Sequence, residues 1–294
     1  MFPSHGDTAL DLIQHADLTM YDQKRKQRGS VSVFNEALHA EIKIEQKQCE
    51  RLRTAIENGE LSVFYQPIID VNTNTVFTVE ALLRWKCEDD YISPAVFIPL
   101  AERSGLMPEI GAWVLNRALI DLSHWSFGNE ISMSVNVSVA QMLDDGFSKI
   151  LDSALKSTQI APTQLHLEIT ESVFAIDKKL IGQRVSELVD RNVKISIDDF
   201  GTGYSSLSRL QSIPFDFIKI DRSFIQNRTE ESDTIIRATI LMAKEFGCKT
   251  IAEGIETAEQ KAHVSALGAD YLQGFYYAKP MDANNLISWY NENY

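Results

Sequence analysis

The sequence predicts an α/β protein built as a (β/α)8 TIM-like barrel with one antiparallel strand. From residue 62 onward, eight short apolar runs read as strands: 62–70, 76–84, 131–137, 164–170, 193–198, 215–220, 248–253 and 270–275. Amphipathic helical stretches, such as 108–125, 178–190, 230–246, 257–267 and 282–292, separate all of these runs except the first two. Repeated strand–helix units imply parallel strands joined by crossovers, and eight of them imply closure into a barrel. The linker "VNTNT" is too short for a crossover, which needs about a dozen residues, so the first two strands pair antiparallel.

The elements before the barrel read differently. Residues 7–29 form one amphipathic helix with an apolar stripe of Ala9, Leu12, Ile13, Ala16 and Met20, and "SVSVF" at 30–34 is a stray strand. A lone helix and strand cannot build a core, so residues 1–34 read as the tail of a truncated domain. The next stretch, "EALHAEIKIEQKQCERLRTAIENGE", is a charged helix of about six turns ending at Gly59. The expected organisation is therefore a fragment at 1–34, a connector helix at 35–58 and a barrel at 59–294.

Composition narrows the function classes. A formal charge of −13 argues against nonspecific binding to nucleic acid or to an anionic membrane surface. An anionic ligand would need local positive charge from metal ions or selected Lys and Arg. Three scattered cysteines, Cys49, Cys87 and Cys248, give no zinc or disulfide pattern and suit a reducing compartment. "MFPSHGDTAL" lacks the layout of a signal peptide, and no apolar run approaches the roughly 18 residues of a membrane span. A soluble stretch in the cytoplasm is expected, although a longer parent protein can carry a membrane anchor.

Active sites of such barrels sit at the carboxyl ends of the parallel strands. Alternation along a strand puts Ser132, Ser134 and Asn136 on one face of "ISMSVNV", and Gln164, His166, Glu168 and Thr170 on one face of "QLHLEIT". Lys194, Ser196 and Asp198 share a face of "KISID", which runs on into "DFGTG" and so places Asp199 beside Asp198. Other strands deliver Glu80, Lys219, Glu253 and Gln273. Any one of these could be an ordinary polar residue at a strand end. Together they crowd carboxylates into one mouth, where repulsion and burial are costly unless cations relieve them. Oxygen-rich ligation without Cys or His favours Mg²⁺ or Mn²⁺ over zinc. Two such ions, with one aspartate of the pair bridging them, suit in-line displacement at phosphorus.

The motifs that carry these residues resemble the EAL domain family of cyclic di-GMP phosphodiesterases. They are "YQPI" (65–68), "EALLRW" (80–85), "NVS" (136–138), "LEITES" (167–172), "DDFGTGYSSLSRL" (198–210), "FIKIDRSFI" (217–225), "AEGIET" (252–257) and "LQGFYYAKPM" (272–281). The resemblance covers about residues 50–294 and implies a barrel with one antiparallel strand. The opening "ADLTMYDQKRK" (16–26) is similar to the end of a GGDEF, diguanylate cyclase-like domain, but the GGDEF signature itself is absent. Carried over residue by residue, the resemblance makes Glu80, Asn136, Glu168 and Asp198 ligands of one metal. Asp198 and Asp199, with Glu253, would hold the other. Lys219 would orient the hydrolytic water or offset charge at phosphorus, with Asp221 and Glu256 in its network. Glu253 is also the family's candidate general base, and the two roles compete. Gln66, Arg84 and Gln273 resemble substrate contacts. Glu171 resembles the residue anchoring the "DDFGTG" loop, a dimer-interface and regulatory element. Arg103, where an acidic residue is usual, and "PMDANNL" after Lys279 depart from the pattern away from the metal positions.

The implied activity is hydrolysis of cyclic di-GMP to linear 5′-pGpG with two Mg²⁺ or Mn²⁺ ions, by a chain expected to be a homodimer. A catalytically inactive cyclic di-GMP receptor is the rival from a different class. Such receptors typically lack metal ligands, and here every ligand position is filled. A barrel metalloenzyme for an unrelated phosphoester would leave the ordered motif set unexplained.

Overall fold

The computed structural model describes residues 36–175, 178–201 and 213–294, together with eight positions between residues 8 and 20. The helix expected at 7–29 lies mostly, and the strand at 30–34 wholly, outside the described residues. The loop after Gly201 lies outside them too.

Eight strands close a ring. In chain order they are β1 (Leu61–Asp70), β2 (Val76–Cys87), β4 (Ser132–Asn136), β5 (Leu165–Thr170), β6 (Lys194–Phe200), β7 (Phe217–Ile220), β8 (Lys249–Ala252) and β9 (Tyr271–Gln273). β1 runs antiparallel to both β2 and β9, and the remaining neighbours are parallel. The reversed strand follows from its short turn: Asp70 Oδ1 accepts the Asn72 and Thr73 N–H groups at 2.8 and 3.0 Å, and Asn74 takes φ +54°. An aspartate capturing its own downstream backbone is a turn device, not a crossover. A short strand, β3 (Asp90–Ile92), extends β2 outside the ring and is absent from the sequence expectation.

Helices cover the wall: α1 (Glu36–Arg53), α2 (Pro94–Arg103), α3 (Met107–His124), α4 (Val139–Leu143), α5 (Phe147–Thr158), α6 (Lys178–Val189), α7 (Arg222–Gln226), α8 (Glu230–Phe246), α9 (Ala258–Leu267) and α10 (Ala283–Asn293). Capping boxes open α4 (Ser138 with Gln141) and α9 (Thr257 with Gln260). Outward residues of the strands, among them Met133, Val135, Leu165, Leu167, Ile195 and Ile197, share one buried apolar cluster with Leu115, Leu119 and Leu122 of α3 and Val185 and Leu188 of α6. A buried polar link joins wall to helix as well: the Tyr65 hydroxyl donates to Asp121 at 2.5 Å, and Arg117 Nε donates to the same oxygen at 3.0 Å.

The lumen is graded along its axis. Its lower end is plugged by apolar and aromatic side chains, with Phe77 stacked on Tyr271 (centroids 4.0 Å apart) and His166 on Phe217 (4.9 Å). Its upper end is polar, and there the candidate site lies. α1 packs on the barrel through buried Leu52, and Arg51 Nε donates to Glu60, which also accepts from Trp85 Nε1 at 3.0 Å.

Candidate active site

Strand register brings the predicted residues level. Glu80 stands opposite Gln66 on one side and Ser134 on the other; Asn136 pairs with Glu168, and Thr170 with Asp198. Parity then points the polar set into the lumen.

Lys219 is the hub. Its Nζ lies 2.5 Å from Glu168 Oε2, 2.7 Å from Glu253 Oε1, 3.2 Å from Asp198 Oδ1 and 3.6 Å from Glu80 Oε2, with the lysine side chain 1% exposed. Burial alone would discharge an ammonium, but these four carboxylates outweigh it and hold Lys219 charged, well above its ordinary value. Glu80 is fixed by two amides: Asn136 Nδ2 donates at 2.8 Å and Gln273 Nε2 at 2.6 Å. Burial works to raise Glu80, yet Lys219 and those amides keep it below the usual carboxylate value. Glu168 goes the other way. Burial, with the Glu80 charge beside it, pushes it well above the usual value despite Lys219. Burial likewise pushes Glu253 up to about 8. Partial desolvation and the Asp198 charge push Asp199 up to about 6.

The paired aspartates break the alternation of their strand. The β6–β7 register shifts between Ile197 and Phe200, Asp199 takes φ +54°, and its N–H donates to Asp198 Oδ1 at 2.9 Å. Such a bulge re-aims consecutive side chains at the end of a strand. Glu171, buried on the far side, accepts the Gly201 N–H at 2.9 Å and so holds the base of the following loop.

Other predicted residues fall in varied places. Gln273 Nε2 also reaches Gln66 Oε1 at 3.2 Å, and Gln66 donates to the Ala278 carbonyl at 3.0 Å. Arg84 lies further up β2, its guanidinium 5.5 Å from the Phe64 ring centroid and hydrogen-bonded to the Leu83 carbonyl. The ion pairs of Lys219 among the described residues do not include Asp221 or Glu256. Asp221 caps α7 through Ser223, and Glu256 accepts from Gln226 at 3.0 Å. Ser134, whose hydroxyl donates to Glu168 Oε1 at 2.5 Å, was not among the predicted site residues, although its parity with Asn136 is readable.

Four buried or half-buried carboxylates around one ammonium leave an excess of negative charge. The donors are all oxygen, as hard divalent cations require. Among the described residues no three carboxylates already stand at ligating spacing. Lys219 occupies the point on which they converge, so a cation entering there shares those oxygens with it. In donor chemistry the site fits Mg²⁺ or Mn²⁺.

An eight-stranded barrel with one reversed strand, carrying this carboxylate–lysine cluster at its mouth, defines the class of protein. The EAL domain family model matches residues 49–280, and the chain belongs to that family. The bifunctional diguanylate cyclase/cyclic di-GMP phosphodiesterase MucR of Pseudomonas aeruginosa is 35% identical over 293 residues, covering 98% of this chain and 43% of its own length. The cyclic di-GMP phosphodiesterase PdeR of Escherichia coli is 33% identical over 292 residues, covering 98% of this chain and 44% of its own. Among solved structures, the PaMucR phosphodiesterase in complex with c-di-GMP is 37% identical with a TM-score of 0.78, covering 81% of this chain and 99% of that one. The chain spans less than half the length of these curated relatives. Among the described residues no helix is long and apolar enough to cross a membrane.

Proposed function

We propose that this chain hydrolyses cyclic di-GMP to linear 5′-pGpG. The observation that carries the reading is the convergence of Glu80, Glu168 and Asp198, from three different strands, and Glu253, just beyond a fourth, on one buried lysine. The c-di-GMP complex of a 37% identical phosphodiesterase supports the choice of ligand.

Glu80, Asn136, Glu168 and Asp198 would hold one Mg²⁺ or Mn²⁺, and Asp198, Asp199 and Glu253 a second. Such ions supply Lewis-acid polarisation of a phosphodiester and a lowered pKa for water. The chain's own residues do the rest. Asn136 and Gln273 fix the Glu80 carboxylate, and Ser134 fixes that of Glu168, so both donors are held before any ligand arrives. Lys219 offsets charge developing at phosphorus as water attacks, the P–O3′ bond breaks and the leaving 3′-oxygen takes a proton. Glu253 serves as an oxygen donor that also orients the water. Gln66, Arg84 and Gln273 contact the substrate.

In the parent protein, residues 1–34 would be the end of a diguanylate cyclase-like domain and 35–58 a connector. The match to a bifunctional relative over 98% of the chain supports this. We assign the barrel to the cytoplasm, as a homodimer whose "DDFGTG" loop reports on assembly.

A chromatographic assay with cyclic di-GMP and Mn²⁺ tests the activity. Linear pGpG is the expected product; it is lost in EDTA and in Asp198→Asn, and Ca²⁺ supports binding with little turnover. Tight binding without any hydrolysis would instead make the chain a receptor.

A further inference from the structure

Hydrogen bonding along the sheet fixes only one of the two carboxylate sources assigned to the second cation: the Glu253 N–H donates to the Ile220 carbonyl of β7 at 3.1 Å, whereas the β6–β7 pairing skips Asp198 and Asp199 and resumes only at Phe200. Asp198 and Asp199 end β6, and Glu253 follows β8; β7 lies between these strands. β7 is only four residues long, and its ladder with β6 is broken at the aspartates. On the aspartate side, packing must hold that gap.

The short helix α7 fills it. The helix begins directly beyond β7, capped by Asp221, whose carboxylate accepts the Ser223 N–H at 3.0 Å. On one side it meets Gly201, two residues past Asp199. A Cβ there would stand 3.1 Å from a ring carbon of Phe224, and the residue takes φ +94°. On the other side it meets Gly254, the residue after Glu253. A Cβ there would stand 2.4 Å from Arg222 Cβ and 3.1 Å from its Cα, at φ +71°. Real Cβ atoms essentially never approach within 3.0 Å, so the Gly254 backbone rests on Arg222 in a way only glycine allows. Gly201 is also held from behind by Glu171, so its backbone is clamped between that carboxylate and the Phe224 ring.

We propose that α7 is a spacer that sets the distance between the Asp198–Asp199 strand end and Glu253 across Lys219, with Phe224 and Arg222 as its positioning residues. Phe224 acts through Gly201, and Arg222 through Gly254. The inference rests on the cation-binding reading of the site. It predicts an asymmetric defect: loosening α7 weakens the cation held by Asp198, Asp199 and Glu253 more than the one held by Glu80, Asn136, Glu168 and Asp198, three of whose four ligands stand on β2, β4 and β5.

Mn²⁺ binding to the whole chain, followed by electron paramagnetic resonance without substrate, tests this. Wild type should bind two ions. Phe224→Ala should bind one nearly as before and the other about 10- to 100-fold more weakly, the usual cost of disturbing outer-shell support. Phe224→Leu, which keeps the bulk, should restore most of that loss. Gly254→Ala, whose methyl would meet Arg222 Cβ at 2.4 Å, should show the same single weak ion and carries the test even if Phe224→Ala fails to fold. Two ions bound as tightly as in wild type by folded Phe224→Ala or Gly254→Ala would overturn the inference alone. So would both ions weakening equally at unchanged melting temperature. A wild-type chain that binds no Mn²⁺ would overturn the reading of the site, and this inference with it.

Discussion

Lys219 Nζ lies 2.5 Å from Glu168 Oε2, and the two side chains are 1% and 0% exposed. Removing one partner of a buried pair leaves the other uncompensated, typically at a cost of about 3–5 kcal/mol. Lys219→Met should therefore unfold at clearly lower urea than wild type in EDTA. Mn²⁺ should stabilise the variant more than wild type, because it supplies the charge the ammonium provided. Matching urea midpoints in EDTA would mean that the cluster does not depend on Lys219.

Glu171 accepts the Gly201 N–H at 2.9 Å, two residues after Asp199. A typical hydrogen bond is worth about 0.5–1.5 kcal/mol net, enough to hold a loop base in place. Glu171→Ala should lower turnover while leaving all the proposed cation ligands in place, and it should change dimerisation measured by sedimentation. Unchanged turnover and unchanged assembly would detach the loop from catalysis.

Much of this arrangement is legible in the sequence, for physical reasons. Alternation along β4, β5 and β6 identified Asn136, Glu168 and Asp198, because a strand has one period and one buried polar face. Asp199 defeats that rule, since the bulge that re-aims it has no periodic signature. β3, with three residues, and α4 and α7, with five each, are too short for a helical or strand period to register. α4 still carried a readable capping box in Ser138 and Gln141. For Asp221 and Glu256 the expected network with Lys219 competes with local chemistry: an aspartate just before a helix caps it, and Glu256 finds Gln226. The Tyr65–Asp121 link joins residues 56 apart in sequence, and nothing local announces it.

Cysteine chemistry gives an independent check on the barrel wall. Burial pushes the Cys248 thiol up to about 11, and the residue is 5% exposed, whereas Cys49 and Cys87 are half-buried. At pH 8 an ordinary thiol with pKa about 8.5 is roughly a quarter thiolate, and one at about 11 is about a thousandth. Ellman's reagent should therefore label Cys248 far more slowly than the other two in the native chain. Raising the pH towards 11 or adding urea should speed it. Rapid labelling of all three at pH 8 would contradict the packing of α8 against β8.

Glu253 offers the sharpest test of the site, because its carboxylate has two possible uses. Its Oε1 lies 2.7 Å from Lys219, and its side chain keeps 18% exposure, the largest among the four carboxylates around that lysine. That position at the mouth suits a group that meets cation, water and substrate together. Glu253→Gln keeps the shape and one carbonyl oxygen but removes the charge, so cyclic di-GMP affinity should survive. If Glu253 acted only as a general base, the loss in kcat would be roughly 10²–10⁴ at every metal concentration, the usual worth of a positioned proton acceptor. As an oxygen donor to the second cation, which is the assignment made above, the variant should lose activity steeply at limiting Mn²⁺. It should then recover part of its rate as Mn²⁺ is raised, with half-saturation shifted to higher metal. A deficit indifferent to metal would move Glu253 from ligand to base. Wild-type turnover at limiting metal would remove it from the mechanism.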